Sequence, residues 1–135
     1  MNLIICIDDS GGILFNRRRV SSDREVIKRI VEVTKNSSLN MSPYSAKLFE
    51  SFTADFSVDD AFLLNITDGD FYFCECEIPS HIIDKAEKII VYRWNRKYPS
   101  DVKFPIDKLL NFKLVSSVDF VGYSHDKITE EVYVR

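Results

Sequence analysis

The chain has 135 residues, which fits one domain and leaves too little for two ordinary ones, since domains cluster at roughly 100–150 residues. Apolar residues make up 45% and aromatic residues 13%, which excludes a disordered chain and is enough for one layered core. The formal charge is −3 with basic and acidic residues interleaved, so we expect no nucleic-acid partner. We therefore expect a single domain that spans residues 1–135.

The three cysteines, Cys6, Cys74 and Cys76, lie on apolar, strand-like segments. An odd number of cysteines in such segments is typical of unpaired thiols packed as small hydrophobes, and it favours a reducing cytoplasm. The apolar run at residues 3–7 is too short for a signal-peptide core and far below the roughly 20 residues of a membrane span. We thus expect a cytoplasmic protein that does not contact a membrane.

The first third of the chain pairs a strand signal with a helix signal. Residues 3–7 (LIICI) form an all-apolar run that ends at Asp8, the pattern of a strand buried on both faces of a sheet. Ser22 and Glu25 form a capping box ahead of apolar residues at helical spacing. The sequence therefore predicts a central strand at residues 3–7 and a helix at about residues 23–35.

The same alternation continues through the middle of the chain. Residues 39–41 predict a short strand, and Pro43 suits the first turn of a second helix. The serine and the acids of residues 57–60 repeat the cap signal and predict a further helix, after which residues 71–74 predict a strand. Strands that alternate with helices favour a parallel sheet.

The last part of the chain is rich in strand signals. Residues 89–94 are apolar and β-prone, and residues 112–121 and 128–134 read as two strands joined by a hairpin turn at residues 122–126. The sequence therefore predicts an α/β sandwich whose mostly parallel, mixed sheet ends in an antiparallel hairpin.

Residues 97–107 (KYPSDVKFPID) are the least generic stretch of the sequence. Proline has no N–H to give to a sheet ladder, so Pro99 and Pro105 are expected at strand ends, and Asp101 is suited to accept N–H groups of a turn. Residues 100–105 resemble the "GDxxFP" motif of dihydrofolate reductase, with serine in place of glycine. This is the strongest part of the resemblance to that family.

Further segments resemble the same family in order along nearly the whole chain. Gly12 and Asn16 stand in the place of its glycine-rich substrate loop, and Asp23 falls on the position of its proton-managing carboxylate. Residues 41–45 (MSPYS) stand where the family has "MGRxT", and residues 57–61 resemble its "S-x-x-E-A" helix start. The resemblance implies a dihydrofolate reductase-like three-layer sandwich.

The resemblance also implies a cleft for a small ligand, with Asp23 as its catalytic carboxylate. The residues expected to contact that ligand are Asn16, Arg18, Tyr44, Ser45 and Tyr92. Two plainer interpretations stay open. Asp23 is also the kind of first-turn acid that a helix dipole stabilises, and the three arginines at residues 17–19 also fit a solvated loop.

The features that hold the family's nicotinamide cofactor are altered in this sequence. Ser45 is the only retained hydroxyl of the first phosphate site, and residues 52–56 are too few to contain the second Ser/Arg cluster. Residues 74–76 (CEC) replace a Gly-Gly turn, which adds side chains and a negative charge where a pyrophosphate would sit. We therefore expect NADPH binding to be disfavoured, and we assign no cofactor-binding residue.

Other chemistries find little support in the sequence. The CEC stretch has two thiols and a carboxylate that suit zinc, but it lacks a second cysteine or histidine pair, so core packing is favoured and no metal is expected. His81 and His125 are the only histidines, which excludes a multi-histidine hydrolase centre. Trp94 with the cations at residues 96–97 suits stacking on a ring or a protein contact, and these alternatives stay open.

Three functional hypotheses follow. The leading one is a divergent dihydrofolate reductase-like domain that binds a small ligand without classical NADPH-dependent reduction of dihydrofolate. The first alternative is an NADPH-dependent reductase of a pterin-like substrate with altered cofactor binding. The second is a non-catalytic interaction or dimerisation module, which would associate with itself as a homodimer or with another protein partner.

Overall fold

The computed structural model describes residues 1–53 and 56–135, and the part of the chain that it describes is an α/β sandwich. Its strands are β1 Asn2–Ile7, β2 Gly12–Phe15, β3 Arg18–Arg19, β4 Leu39–Met41, β5 Phe56–Val58, β6 Phe71–Phe73, β7 Lys88–Arg93, β8 Val102–Lys103, β9 Lys113–Phe120 and β10 Ile128–Val134. Its α-helices are α1 Arg24–Val33, α2 Pro43–Ala46 and α3 Ser80–Lys85. The described part of the chain also forms a first 3-10 segment at Lys47–Phe49 and a second at Ile106–Asn111.

Within residues 1–53 and 56–135, the main sheet has seven strands in the order β5-β4-β6-β1-β7-β10-β9. The first five strands in this order, which end with β7, pair in parallel. Strand β10 runs antiparallel to β7, and β9 runs antiparallel to β10. This arrangement confirms the predicted mixed sheet that ends in an antiparallel hairpin. A smaller antiparallel sheet, in the order β3-β2-β8, lies beside it.

Strand β1 is the centre of the fold because hydrophobic residues cover both of its faces. Leu3, Ile5 and Ile7 point into one core cluster, which α3 and the second 3-10 segment close. Ile4 points into the other cluster, which α1 closes. Side chains alternate between the faces of a strand, so a run without polar residues fills both cores and fixes β1 between two layers.

Helix α1 agrees with the predicted helix but begins one residue later. Asp23, and not Ser22, is its N-cap, and the Asp23 side chain accepts the backbone N–H of Glu25. Val26, Ile27 and Ile30 are buried against the sheet, as their spacing on one helix face requires. The N-terminus of α1 is therefore set by a buried carboxylate at the end of the sheet.

The helix predicted after residues 57–60 is wrong. Ser57 and Val58 lie in β5, where they pair in parallel with Asn40 and Met41 of β4, and turns follow. Asp59 does accept the N–H of Ala61, but that bond closes a turn and caps no helix. Pairing with a neighbouring strand outweighs a local cap signal at this place.

Two further expectations from the sequence concern residues 52–56 and membrane spans. The argument from residues 52–56 falls partly on residues 54 and 55, which lie outside the described part of the chain. Within the described residues, no helix is long and apolar enough to cross a bilayer.

Candidate functional site

The loops at the carboxyl ends of β1 and β7 are held together by the buried carboxylate of Asp8. Its Oδ1 accepts the N–H of Gly12 at 2.7 Å and the N–H of Ser10 at 2.9 Å, and its Oδ2 accepts the N–H of Tyr98 at 2.9 Å. Burial alone would raise the pKa of Asp8, but these backbone donors outweigh it and hold the pKa below its ordinary value. This edge of a parallel sheet is where ligands usually bind.

Asp23 lies at the start of α1, and its carboxylate is surrounded by hydrogen-bond donors of the protein. Its Oδ1 accepts the N–H groups of Glu25 and Tyr123 at 2.9 Å, and its Oδ2 accepts the N–H of Ser124 at 2.9 Å. The Nδ1 atom of His125 lies 2.8 Å from the same Oδ2. Burial opposes ionisation, yet these donors lower the pKa of Asp23 far below its ordinary value.

His125 connects Asp23 to a serine on the other side of its ring. The Nε2 atom lies 2.8 Å from the Oγ of Ser21, and the Tyr98 hydroxyl lies 3.4 Å from that oxygen. The ring stacks on the indole of Trp94, with 4.8 Å between the centroids. Since an ionised carboxylate only accepts hydrogen bonds, Nδ1 carries the proton towards Asp23, and a neutral ring then accepts the Ser21 hydroxyl at Nε2.

Little space is left beside Asp23. The cavity that Asp23 lines together with Cys6, Ile27, Phe73 and Trp94 has a volume of about 10 Å³. A single water needs roughly 10–15 Å³ by the same kind of measure. A planar ring therefore does not fit next to the Asp23 carboxylate in this conformation.

A second polar cluster joins β3, α2 and the segment after β6. The Arg19 Nε lies 2.7 Å from Glu75 Oε2, and the Ser45 hydroxyl donates to Glu75 Oε1 at 2.8 Å. The Tyr44 hydroxyl accepts the N–H of Arg19 at 3.0 Å, and the Arg19 guanidinium lies 4.2 Å from the Tyr44 ring centroid. The pKa of Arg19 is raised because the bond to Glu75 outweighs burial.

An opening at this edge of the sheet lies beside Tyr44. Its volume is about 510 Å³, within the range of small-ligand pockets, and its walls include Leu14, Asn16, Asp101 and Val102. Asn16 takes a φ of 50°, and its N–H donates to Asp101 Oδ2 at 3.0 Å. The turn at Asn16 is therefore tied to the 97–107 segment, where Asp101 accepts a turn N–H as predicted.

Tyr92 lies on β7 away from this opening. The side chain is fully buried, and its hydroxyl donates to Glu130 Oε2 at 2.8 Å. Glu130 also receives the Arg29 guanidinium, with 3.1 Å between Arg29 Nη2 and Glu130 Oε1. Burial and the Glu130 charge raise the pKa of Tyr92 strongly. Its polar atom is thus engaged inside the protein.

Comparison with known proteins gives a result for the fold only. No protein-family model matches the chain, and no curated protein matches it. Among solved structures, the chain is similar to dihydrofolate reductase from Enterococcus faecalis complexed with NADP(H) and RAB-propyl, with a TM-score of 0.67 and 14% identity over 99% of this chain and 95% of that one. The chain has a dihydrofolate reductase-like fold. At this identity the likeness carries no information on activity.

Within this dihydrofolate reductase-like fold the predicted site residues do not form one cluster. Asn16 and Tyr44 line the 510 Å³ cavity, and Ser45 lies behind it on Glu75. Arg18 lines a neighbouring groove of about 260 Å³. The remaining two predicted residues, Asp23 and Tyr92, belong to the internal networks described above.

The thiols of the CEC stretch are part of the packing. Cys74 is buried in the core cluster that contains Leu3, and Cys76 packs against that cluster. The neighbouring Cys76 thiol and burial raise the pKa of Cys74. Within the described residues, no group of three or more histidine, cysteine, aspartate or glutamate side chains is placed to hold a metal ion.

Sequence reasoning did not identify Ser21, Tyr98, His125 or Glu130 as site residues. Ser21 and Asp23 are two positions apart, which places both side chains on one side of an extended segment. The sequence shows this spacing and also shows that His125 is one of only two histidines. It does not show that they belong together, because the hairpin loop that carries His125 returns to α1 only in the fold.

Proposed function

We propose that this protein is a small-ligand-binding domain with a dihydrofolate reductase-like fold, and that it does not reduce dihydrofolate with NADPH. The observation that carries this proposal is the state of Asp23. By the resemblance, this residue would contact the substrate ring. Its oxygens instead accept hydrogen bonds from the backbone N–H groups of Glu25, Tyr123 and Ser124 and from the His125 ring. The cavity beside the carboxylate has a volume of about 10 Å³.

The surroundings of Glu75 argue against the usual cofactor. The Glu75 side chain is 8% exposed, and its carboxylate is held by Arg19 and Ser45 at the carboxyl end of β6. A pyrophosphate placed there would meet this negative charge, and the guanidinium of Arg19 is already paired with Glu75. The residues present therefore do not suit an NADP(H) phosphate group.

The cavity of about 510 Å³ beside Tyr44 is the binding site in this proposal. Leu14 and Val102 offer an apolar wall, the Tyr44 ring offers a stacking surface, and Asp101 offers carboxylate oxygens at the rim. Such a lining suits a small molecule with one apolar or aromatic part and a hydrogen-bond donor. This chemistry defines a class of ligand and not one compound.

Two measurements test the proposal. NADPH oxidation in the presence of dihydrofolate should stay far below ordinary enzymatic turnover, which is roughly 1–1000 per second. A thermal-shift screen of nucleotides, pterins, folates and related heterocycles should find a compound that stabilises the protein, because ligand at about 100 times its dissociation constant adds about 2.7 kcal/mol. Turnover at an ordinary rate would contradict the proposal.

A matched pair of variants locates the binding site. Val102→Phe narrows the cavity and should abolish the shift, while Val118→Phe adds the same ring on the exposed strand β9 and should leave it intact. Stabilisation by NADPH would instead favour the altered reductase. If no compound acts and light scattering shows self-association, the dimerisation module is the better account.

A further inference from the structure

Three side chains at the start of α1 form a continuous hydroxyl–imidazole–carboxylate chain. Ser21 Oγ lies 2.8 Å from His125 Nε2, and His125 Nδ1 lies 2.8 Å from Asp23 Oδ2. We propose that Ser21 is the nucleophile of an ester-hydrolysing or acyl-transferring site, with His125 as its general base and Asp23 as the positioning residue. This inference is independent of ligand binding beside Tyr44.

The direction of the hydrogen bonds suits a nucleophile. Asp23 accepts the Nδ1 proton of His125, which leaves the Nε2 lone pair of the neutral ring facing the Ser21 hydroxyl. Trp94 stacks on the ring, and the N–H groups of Tyr123 and Ser124 hold the carboxylate, so neither group rotates freely. A fixed base next to a hydroxyl is the requirement for activating serine.

Burial is graded in the order that such a site needs. The Asp23 side chain is 0% exposed and the His125 side chain is 5% exposed, whereas Ser21 is half-buried. The Tyr98 hydroxyl lies 3.4 Å from Ser21 Oγ. In this proposal it donates to the negative charge that develops on a carbonyl oxygen during attack.

A groove beside Tyr98 indicates the class of substrate, whereas the cavity that Ser21 itself lines has a volume of only about 10 Å³. Tyr98 and Val20, the residue before Ser21, line the groove of about 260 Å³ together with Phe15, Arg18 and Pro99. The exposed Arg18 would pair with a carboxylate or phosphate, and Phe15 and Pro99 offer apolar contacts. The site would therefore take a small ester that carries an anionic group.

The reaction uses groups on this chain and water. Ser21 Oγ forms a bond to the carbonyl carbon while its proton passes to His125 Nε2, and the imidazolium then gives that proton to the departing alcohol as the carbon–oxygen bond breaks. In the second half, water attacks the acyl-serine while His125 Nε2 takes its proton. The imidazolium returns that proton to Ser21 Oγ as the bond between Oγ and the acyl carbon breaks, which releases the acid and restores the neutral ring and the serine hydroxyl.

A reactivity test separates this proposal from a purely structural role of the same contacts. The protein should be labelled by a fluorophosphonate probe at Ser21, as located by peptide mass mapping, and should hydrolyse p-nitrophenyl acetate above the buffer rate. Ser21→Ala should remove both signals, and the matched control Ser22→Ala, at an exposed neighbour, should retain them. His125→Gln should slow labelling at least about 100-fold, the lower end of a general-base contribution.

A second variant covers the case in which a substitution unfolds the protein. Ser21→Cys keeps a nucleophile at the same atom, and iodoacetamide should alkylate Cys at position 21 faster in this background than in Ser21→Cys with His125→Gln. Far-UV circular dichroism shows which variants are folded. A wild-type protein that is inert to the fluorophosphonate, or labelling that maps elsewhere or survives Ser21→Ala, would overturn the proposal.

Discussion

The Asp23 carboxylate and the His125 ring lie 2.8 Å apart although 102 positions separate them in the sequence. The contact ties the start of α1, at one end of the chain, to the loop of the β9–β10 hairpin at the other. The N–H groups of Tyr123 and Ser124 reinforce this tie. The resemblance assigns this position to a substrate-binding acid, but here the carboxylate joins two distant parts of the chain.

Removing the Asp23 carboxylate should destabilise the protein strongly. Asp23→Ala leaves the N–H groups of Tyr123 and Ser124 without their acceptor, and each buried donor without a partner costs roughly 1–3 kcal/mol. We expect the free energy of unfolding in urea to fall by about 3 kcal/mol. Asp60→Ala, at an exposed acid, should change it by less than about 0.5 kcal/mol. Equal effects of the two variants would show that the tie contributes nothing.

Acid should unfold the protein through the same carboxylates. The pKa values of Asp8 and Asp23 are lowered in the folded state from an ordinary value of 3.8, so their stabilisation is complete above that pH and is lost as the pH falls below it. Each such group adds at most about 1.4 kcal/mol per pH unit to the slope. Urea titrations from pH 6 to pH 2.5 should show a shallower slope for Asp23→Asn than for wild type.

Gly122 should tolerate no side chain, because it lies against Asp23. A Cβ atom at this position would come within 2.6 Å of Asp23 Oδ2 and 2.7 Å of Ile128 Cδ1. Gly122→Ala should therefore lower the free energy of unfolding by about 1–3 kcal/mol, the usual effect of overpacking. Gly69, by comparison, has open space around it and a φ of +82°, so Gly69→Ala should cost only backbone strain of about 1–2 kcal/mol. A Gly122→Ala protein as stable as wild type would contradict the packing.

The sequence predicted the parts of the fold whose signals are local and long. The apolar run of β1 and the two strands of the β9–β10 hairpin were placed within a residue or two, since a pattern of several residues specifies each. The helix predicted after residues 57–60 failed because Ser57, its predicted cap residue, lies in a strand that pairs with β4, and no local pattern reveals that pairing. Strands β3 and β8 have two residues each, too few to carry a pattern.

The site was predictable only in part, for the same reason. Asp23, Tyr44 and Asn16 were all singled out by the resemblance. His125 came from a hairpin loop whose contact with α1 depends on the whole sheet order. Tyr92 was placed on the correct strand, but the partner that engages its hydroxyl, Glu130, lies on a strand whose register the sequence does not state.

Tyr92 should matter for stability and not for ligand binding. Tyr92→Phe removes a buried hydroxyl that donates to the Glu130 carboxylate, and hydrogen bonds to charged groups contribute roughly 1.5–3 kcal/mol. Urea unfolding should show a loss of that size, whereas Tyr123→Phe, on an exposed ring, should show almost none. The sequence prediction that Tyr92 binds ligand makes the opposite forecast, namely a loss of the ligand-induced thermal shift in a protein of nearly normal stability.

Replacing one member of the Arg19–Glu75 pair should destabilise the protein strongly, whereas replacing both members should destabilise it little. Glu75 is 8% exposed and Arg19 is 21% exposed, so Arg19→Met leaves the better buried charge without its partner. Breaking one side of a buried pair costs roughly 3–5 kcal/mol, and an apolar replacement of both sides is often neutral. We expect Arg19→Met to be more destabilising than Glu75→Gln, and Arg19→Met combined with Glu75→Leu to recover most of the loss. Additive effects in this double-mutant cycle, measured by urea unfolding, would show that the two side chains do not interact in solution.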